Sequence, residues 1–320
     1  AFIAGALTAA AAAILATWAI TQANFAALCC ATFLMGSNQA FVAQQRFAAA
    51  ESVPPGRVSQ AVSLVMLGTL VAALIGPQLA LALKNLLPEH EYAGSFLGVA
   101  VLFTLSALVL TRYRADKPVI DFEPGAGRPT LEIVRQPTYL LAALAAVVSY
   151  AVMSFIMTAT PISMHVHDHH SDTATAWVIQ SHLLAMYAPS LFSGALISRI
   201  GTRTGMFMGL ALMLICVMID SAGRDLMHYW SGLVLLGLGW NLLFVSGTSL
   251  LTTTYRPQER FRAQAVNEFA VFGTQALASL MAGPAIHLLG WHGLNLAALL
   301  PLLLFGSVLL LPQVSRNSRV

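Results

Sequence analysis

Long apolar runs separated by short polar connectors dominate this sequence. A helix of roughly 20 apolar residues crosses the hydrocarbon core of a bilayer. On that criterion the sequence predicts ten membrane-spanning helices, near residues 1–20, 24–46, 58–83, 93–111, 138–162, 173–198, 204–220, 229–254, 263–287 and 293–312. The pattern therefore predicts an all-α integral membrane protein.

One connector is longer and more polar than the others. Residues 112–137 hold nine charged side chains with Pro and Gly between them, which indicates a hydrophilic linker between two helical bundles. The predicted domains are a first bundle at 1–111, the linker at 112–137, a six-helix bundle at 138–312 and a tail at 313–320.

The composition excludes several classes of protein. Apolar residues make up 58% of the chain and charged residues 9%, whereas a soluble domain carries about 25% charged residues. The net charge of +3 is small and gives no reason to expect a nucleic-acid partner. The three cysteines lie in apolar runs, and no catalytic constellation or cofactor motif is present. We therefore expect no enzyme activity and no cofactor.

Basic residues predict the orientation in the membrane. Placing the linker in the cytoplasm puts 14 of the 16 Lys and Arg residues on that side, as the positive-inside rule requires. Both ends of this chain are then cytoplasmic, and the membrane is a bacterial-type inner membrane. Four tryptophans fall at the outer ends of predicted spans, as in an interfacial belt: Trp18, Trp177, Trp230 and Trp291.

The two halves of the chain repeat each other. GSNQAFV at 36–42 matches GWNLLFV at 239–245, at an offset of 203 residues (239 − 36), and Pro54 and Arg57 recur as Pro257 and Arg260 at the same offset. Projected back from residue 138, the repeat places two more spans ahead of residue 1. We therefore expect a protein of two six-helix halves whose first two helices are absent from this chain.

Several segments resemble the major facilitator superfamily. GALISRIGTRTGMFMG at 194–209 is similar to its loop motif, with Gly194, Arg199, Gly201 and Arg203 in place and Ser198 where an acidic residue is usual. QQRFAAAESV at 44–53, VIQSHLLAMYAPS at 178–190 and GLGWNLLFVSGTSLLTTTYRPQER at 237–260 resemble a bacterial branch that includes riboflavin importers of the RfnT kind.

The resemblance implies a monomeric secondary-active transporter that works by alternating access. Its substrate would be a small organic solute, such as riboflavin or a similar flat molecule with polar edges. Two alternatives stay open, namely a drug or metabolite efflux antiporter of the same fold and a truncated homologue that is inactive in transport.

Polar and aromatic side chains inside the predicted spans are the candidates for substrate binding, because such groups are costly in lipid and usually face a cavity or another helix. In the family, the first, fourth, seventh and tenth helices of the full protein line the central cavity. The candidates are Asn38, Gln39, Tyr150, Ser154, Gln180, His182, Trp240, Asn241 and Asn267. The alternative interpretation is that these groups only hydrogen-bond between helices.

Two residues are candidates for proton coupling. Glu268 is an acidic residue well inside a predicted span, where a charge costs on the order of 3 kcal/mol. It either couples protons or forms a cytoplasmic gate with a basic residue, and its position about two turns from the inner surface favours the gate. The gate partners are Arg46, Arg199 and Arg203. His182 is either a proton acceptor or a neutral core imidazole.

One outer loop, MHVHDHHSD at 164–172, is rich in histidine. Such a loop is able to bind zinc or copper or to respond to external pH, but the spacing matches no fixed metal signature. We predict no metal site, with four residues as weak candidates: His165, His167, His169 and His170.

Overall fold

A computed structural model describes residues 2–51, 58–112 and 127–311, and within these ranges the secondary structure is helical with no strand. The side chain of Arg46 and the predicted tail at 313–320 lie outside the described part. The chain divides into two compact units, residues 1–120 and 121–320.

In the described residues, the first unit contains four long helices, and the first of them lies at its centre. The helices are α1 (Phe2–Thr21), α2 (Phe25–Glu51), α3 (Val58–Leu83) and α4 (Ala93–Leu110). α1 packs against α2 and α4 through a buried face that is almost entirely alanine. Small residues let membrane helices approach closely, so the Ala-rich composition of α1 suits its central position.

The described part of the second unit contains six longer α-helices and one short one. They are α5 (Thr130–Val134), α6 (Pro137–Pro161), α7 (Asp172–Tyr187), α8 (Ser190–Ile200), α9 (Thr202–Ala222), α10 (Leu226–Leu251) and α11 (Arg260–Leu310). α10 packs against α6, α7 and α9, and α11 packs against α6 and α9. One apolar core of buried residues runs through these helices.

Two helical stretches of this unit are broken. α11 is interrupted at Gly290, whose φ of 65° and ψ of −178° are not helical. The predicted spans at 263–287 and 293–312 fall on the two sides of this break. α7 and α8 are bent by 44° relative to each other, where a single span at 173–198 is expected from the sequence. Gly201, with a φ of 87°, makes the sharp turn from α8 to α9.

Six helices in the described residues are long and apolar enough to cross a membrane, and the bent pair α7 and α8 would make a seventh. Residues 68–83, within α3, form a shorter apolar helix. The all-α membrane architecture is thus confirmed, while ten spans stay a prediction.

The end of the predicted linker is folded. Ile133 on α5 is fully buried against Tyr139, Leu251 and Ala263. The Arg128 side chain donates hydrogen bonds to both carboxylate oxygens of Glu259, at 3.0 and 2.8 Å. Residues 128–134 are therefore held against the helices of the second unit by apolar packing and by the Arg128–Glu259 hydrogen bonds.

Candidate functional site

Five aromatic rings from four helices of the second unit meet in one cluster, which we call the aromatic box. Its members are Tyr150 on α6, Tyr187 on α7, Trp240 and Phe244 on α10, and Phe272 on α11. Tyr150 lies edge-on to Trp240, Phe244 and Phe272, with ring centroids 5.1, 5.3 and 5.7 Å apart. Edge-to-face and offset-stacked rings at such distances attract each other beyond their apolar contact.

The rings of the box differ in exposure. Trp240 is 3% exposed, because Phe244 stacks on it at 5.1 Å and Tyr187 and Tyr150 cover its edges. Tyr150, Tyr187 and Phe244 are half-buried, and Phe272 is 46% exposed. The exposed surface of the box is therefore made by its four outer rings, with Trp240 behind them: Tyr150, Tyr187, Phe244 and Phe272.

Asn241, next to Trp240, is fully buried. Its Nδ2 donates to the Met186 carbonyl oxygen at 2.8 Å and to Ser190 Oγ at 2.6 Å. Within the described residues, Asn241 Oδ1 and Trp240 Nε1 have no hydrogen-bond partner. Buried polar atoms without a partner are uncommon. Here they are one donor, Trp240 Nε1, and one acceptor, Asn241 Oδ1, directly behind the outer rings.

The other candidates on α6 and α7 are largely internal. His182 is fully buried, its Nδ1 lies 2.7 Å from the Leu233 carbonyl oxygen, and its Nε2 has no partner among the described residues. Ser154 is 6% exposed, and Gln180 is half-buried. One turn beyond Ser154, Thr158 forms a hydrogen bond of 3.1 Å with Ser279 on α11, so this stripe also joins helices.

The two candidates of the first unit face different surroundings. Asn38 is 6% exposed and packs against Gly5 of α1, where an added Cβ would lie 3.0 Å from Asn38 Oδ1. Gln39 is exposed. Asn38 therefore serves helix packing inside the first unit, whatever else it contacts.

The coupling and gating candidates are spread over four helices, with Arg46 on α2, Arg199 on α8, Arg203 on α9 and Glu268 on α11. Glu268 on α11 is half-buried, and neighbouring Asn267 is 5% exposed. Arg199 in the last turn of α8 is exposed. Arg203 donates to the Leu309 carbonyl oxygen at 2.6 Å, which satisfies a carbonyl in the last turn of α11 and complements the helix dipole.

The histidine-rich loop carries polar side chains that are mostly at the surface. Its histidines are exposed or half-buried: His165, His167, His169 and His170. Asp168 accepts a hydrogen bond from the Tyr229 hydroxyl at 2.5 Å and lies 3.5 Å from the Arg224 guanidinium. In the described part of the chain, no group of three or more His, Cys, Asp or Glu side chains is placed to hold a metal ion.

Two buried carboxyl groups were not among the sequence candidates. Asp220 is 1% exposed in α9, although the hydropathy pattern places it at the very end of a span. Cys216 Sγ donates to its Oδ2 at 3.4 Å, and Oδ1 has no partner within the described residues. Glu259 is fully buried and is paired with Arg128. The i, i+4 spacing of Cys216 and Asp220 is the one local signal in the sequence.

The described helices that are long and apolar enough for a bilayer, with buried aromatic and amide side chains in their interior, are those of a polytopic α-helical membrane protein. Residues 142–320 match the sequence profile of the Major Facilitator Superfamily. The chain belongs to that superfamily.

Two relatives found by sequence are transporters. The chain is 42% identical over 299 residues to a riboflavin transporter, RfnT, of Brucella anthropi, and the match covers 92% of this chain and 74% of the relative. It is 30% identical over 267 residues to an uncharacterised transporter of the superfamily, YdeG, from Bacillus subtilis, covering 78% of this chain and 62% of that protein.

Solved structures of two membrane transporters have the same fold as this chain. A bacterial homologue of the human lysosomal transporter Spinster, in an inward-facing and unoccupied conformation, matches with a TM-score of 0.64 at 15% identity, over 96% of this chain and 82% of that one. A single-residue variant of the Escherichia coli fucose:proton symporter FucP matches with a TM-score of 0.56, also at 15% identity, over 96% of this chain and 82% of that one. Both matches show the fold alone.

Proposed function

We propose that the protein transports riboflavin, or a similar flat solute with polar edges, across the bacterial inner membrane. The observation that carries this proposal is the aromatic box, which offers partly exposed rings on four packed helices. Fused aromatic ligands stack on such rings, and a nucleobase-sized ring gains about 1–3 kcal/mol from each stacking contact. The 42% identity to a protein named as a riboflavin transporter supports the same substrate class.

The transport mechanism we propose is secondary-active alternating access by a monomer, with both ends of this chain in the cytoplasm. Substrate stacks on the outer rings of the box, and the half-buried Tyr150 and Tyr187 supply hydroxyl groups for its polar edge. Glu268 gates the cytoplasmic side, and protons drive accumulation.

Riboflavin accumulation in a riboflavin-auxotrophic bacterium that expresses the protein is the decisive measurement. We expect accumulation above that of the empty vector, and we expect a protonophore to abolish it. Absence of accumulation, despite normal amounts of protein in the membrane, would reject riboflavin import. Faster loss of preloaded riboflavin from the same cells would instead identify an efflux antiporter.

A further inference from the structure

The break between α7 and α8 leaves backbone groups that need partners. α7 ends at Tyr187 and α8 begins at Ser190, with a bend of 44° between them. Pro189, in the gap, has no N–H, so the carbonyl four residues earlier loses its helical donor. The last carbonyls of any helix also lack intrahelical partners. Within a membrane protein, neighbouring helices, polar side chains or ordered water satisfy such groups.

Asn241 bridges this break. Its Nδ2 donates one hydrogen bond to the carbonyl oxygen of Met186, before the break, and one to Ser190 Oγ, after it. The amide nitrogen has only two hydrogens, so it retains none to donate to a substrate. Asn241 is also fully buried, beneath the surface that a solute reaches.

Close packing of α10 on α7 brings Asn241 within reach of the break. An added Cβ at Gly237, one turn before Asn241, would lie 2.7 Å from the His182 carbonyl oxygen and 3.0 Å from the Met186 backbone nitrogen. The two helix backbones are therefore in direct contact there, as small residues at helix interfaces allow. The short asparagine side chain spans the remaining distance.

The break in turn orients one ring of the aromatic box. Tyr187 follows Met186 directly and packs edge-on against Trp240, with ring centroids 5.9 Å apart. We propose that Asn241 is a positioning residue that fixes the break between α7 and α8 and thereby holds Tyr187 in the aromatic box, without contacting the substrate. This inference rests on the proposed function of the box as the substrate surface.

A double-mutant cycle distinguishes positioning from direct contact. The variants are Asn241→Leu, Tyr187→Leu and both together, compared by the KM for riboflavin uptake. If Asn241 acts through Tyr187, each single variant raises KM by about fivefold and the double variant raises it no further. If Asn241 binds substrate itself, the two effects multiply, and that outcome overturns the proposal.

A second readout needs no substrate. Tyr187→Cys, with Cys29 and Cys30 replaced by Ala, reports the accessibility of position 187 through its rate of maleimide labelling. We expect Asn241→Leu to raise that rate severalfold, because the backbone at position 187 is no longer held by the two hydrogen bonds across the break. Thr158→Val is the matched control, since it removes a different interhelical hydrogen bond of the same unit and is expected to leave the rate unchanged.

The two experiments fail in different ways. An unchanged labelling rate in the Asn241→Leu protein overturns the positioning role, whatever happens to transport. A labelling rate that rises as expected in the Asn241→Leu protein, together with no riboflavin uptake by the unaltered protein, overturns the proposed substrate and leaves the positioning role standing. Size-exclusion profiles in detergent identify any variant that fails to fold, and Asn241→Ser then replaces Asn241→Leu in both experiments.

Discussion

Only part of the aromatic box was visible in the sequence. Tyr150 and Trp240 stand out because a polar-tipped aromatic residue within an apolar run calls for an explanation. Phe244 and Phe272 do not, because a phenylalanine in a membrane helix is equally at home against lipid. Nothing in the local pattern distinguishes Phe272 from the more exposed Phe269 one turn earlier. The distinction comes from contacts between helices that are far apart in the sequence, since the Phe272 ring lies 5.7 Å from that of Tyr150.

Phe272 provides the sharpest test of the box at the level of one residue. We expect Phe272→Ala to raise the KM for riboflavin uptake roughly two- to tenfold, the equivalent of one aromatic contact of about 0.5–1.5 kcal/mol. Phe272 is 46% exposed, so its loss leaves no large cavity. Truncation of the buried Trp240 is a poorer test, because it would cost about 3–5 kcal/mol of stability.

The matched control is Phe269→Ala on the same helix. Phe269 is 82% exposed, and among the described residues it makes no ring contact with the box. We expect the Phe269→Ala variant to have the same KM for riboflavin uptake as the unaltered protein, in assays matched for membrane expression. Equal KM values for all three proteins would exclude Phe272 from the substrate surface.

At the scale of helices, hydropathy locates the elements well and their breaks poorly. The predicted spans at 93–111 and 229–254 correspond to α4 (Ala93–Leu110) and α10 (Leu226–Leu251). The bend after Tyr187 was not predicted, because Pro189 lies inside an apolar run and a proline in a membrane helix is tolerated when neighbouring helices satisfy the freed groups. Here Asn241, some fifty residues away, donates to the Met186 carbonyl oxygen, one of the last carbonyls of α7.

The break in α11 depends on the backbone of one residue. Gly290 has a φ of 65° and a ψ of −178°, a region open essentially to glycine alone. Nothing lies within 4 Å of an added Cβ at this position, so a side chain would meet no steric obstacle. We nevertheless expect Gly290→Ala to destabilise the protein by about 1–3 kcal/mol through backbone strain, measured as a lower melting temperature in detergent.

Gly273 provides the control for that prediction. It lies on the same helix, it also has nothing within 4 Å of an added Cβ, and its φ is not positive. Gly273→Ala should leave the melting temperature unchanged or raise it, because alanine favours helix over glycine by about 1 kcal/mol. A fall of equal size in both variants would mean that added volume, and not backbone conformation, is the cause.

At the scale of the whole molecule, the sequence predicted the class of fold but not how its parts are fastened. Apolar runs and the internal repeat sufficed for an all-α transporter, since lipid leaves few alternatives to helices. The fastening of residues 128–134 to the second unit was not predicted, because the linker is polar and short of apolar residues. It depends on Ile133, which is fully buried, and on the Arg128–Glu259 ion pair.

Energy coupling is also a property of the whole molecule, and Glu268 tests it. A gate changes the rate of transport. A coupling group instead sets the riboflavin gradient that the proton gradient is able to maintain, because coupling is a free energy shared between the binding of substrate and of protons. We expect Glu268→Gln to slow riboflavin uptake while the final accumulation ratio and its sensitivity to protonophore persist. Loss of accumulation with retained exchange of labelled for unlabelled riboflavin would instead identify Glu268 as the proton-coupling group.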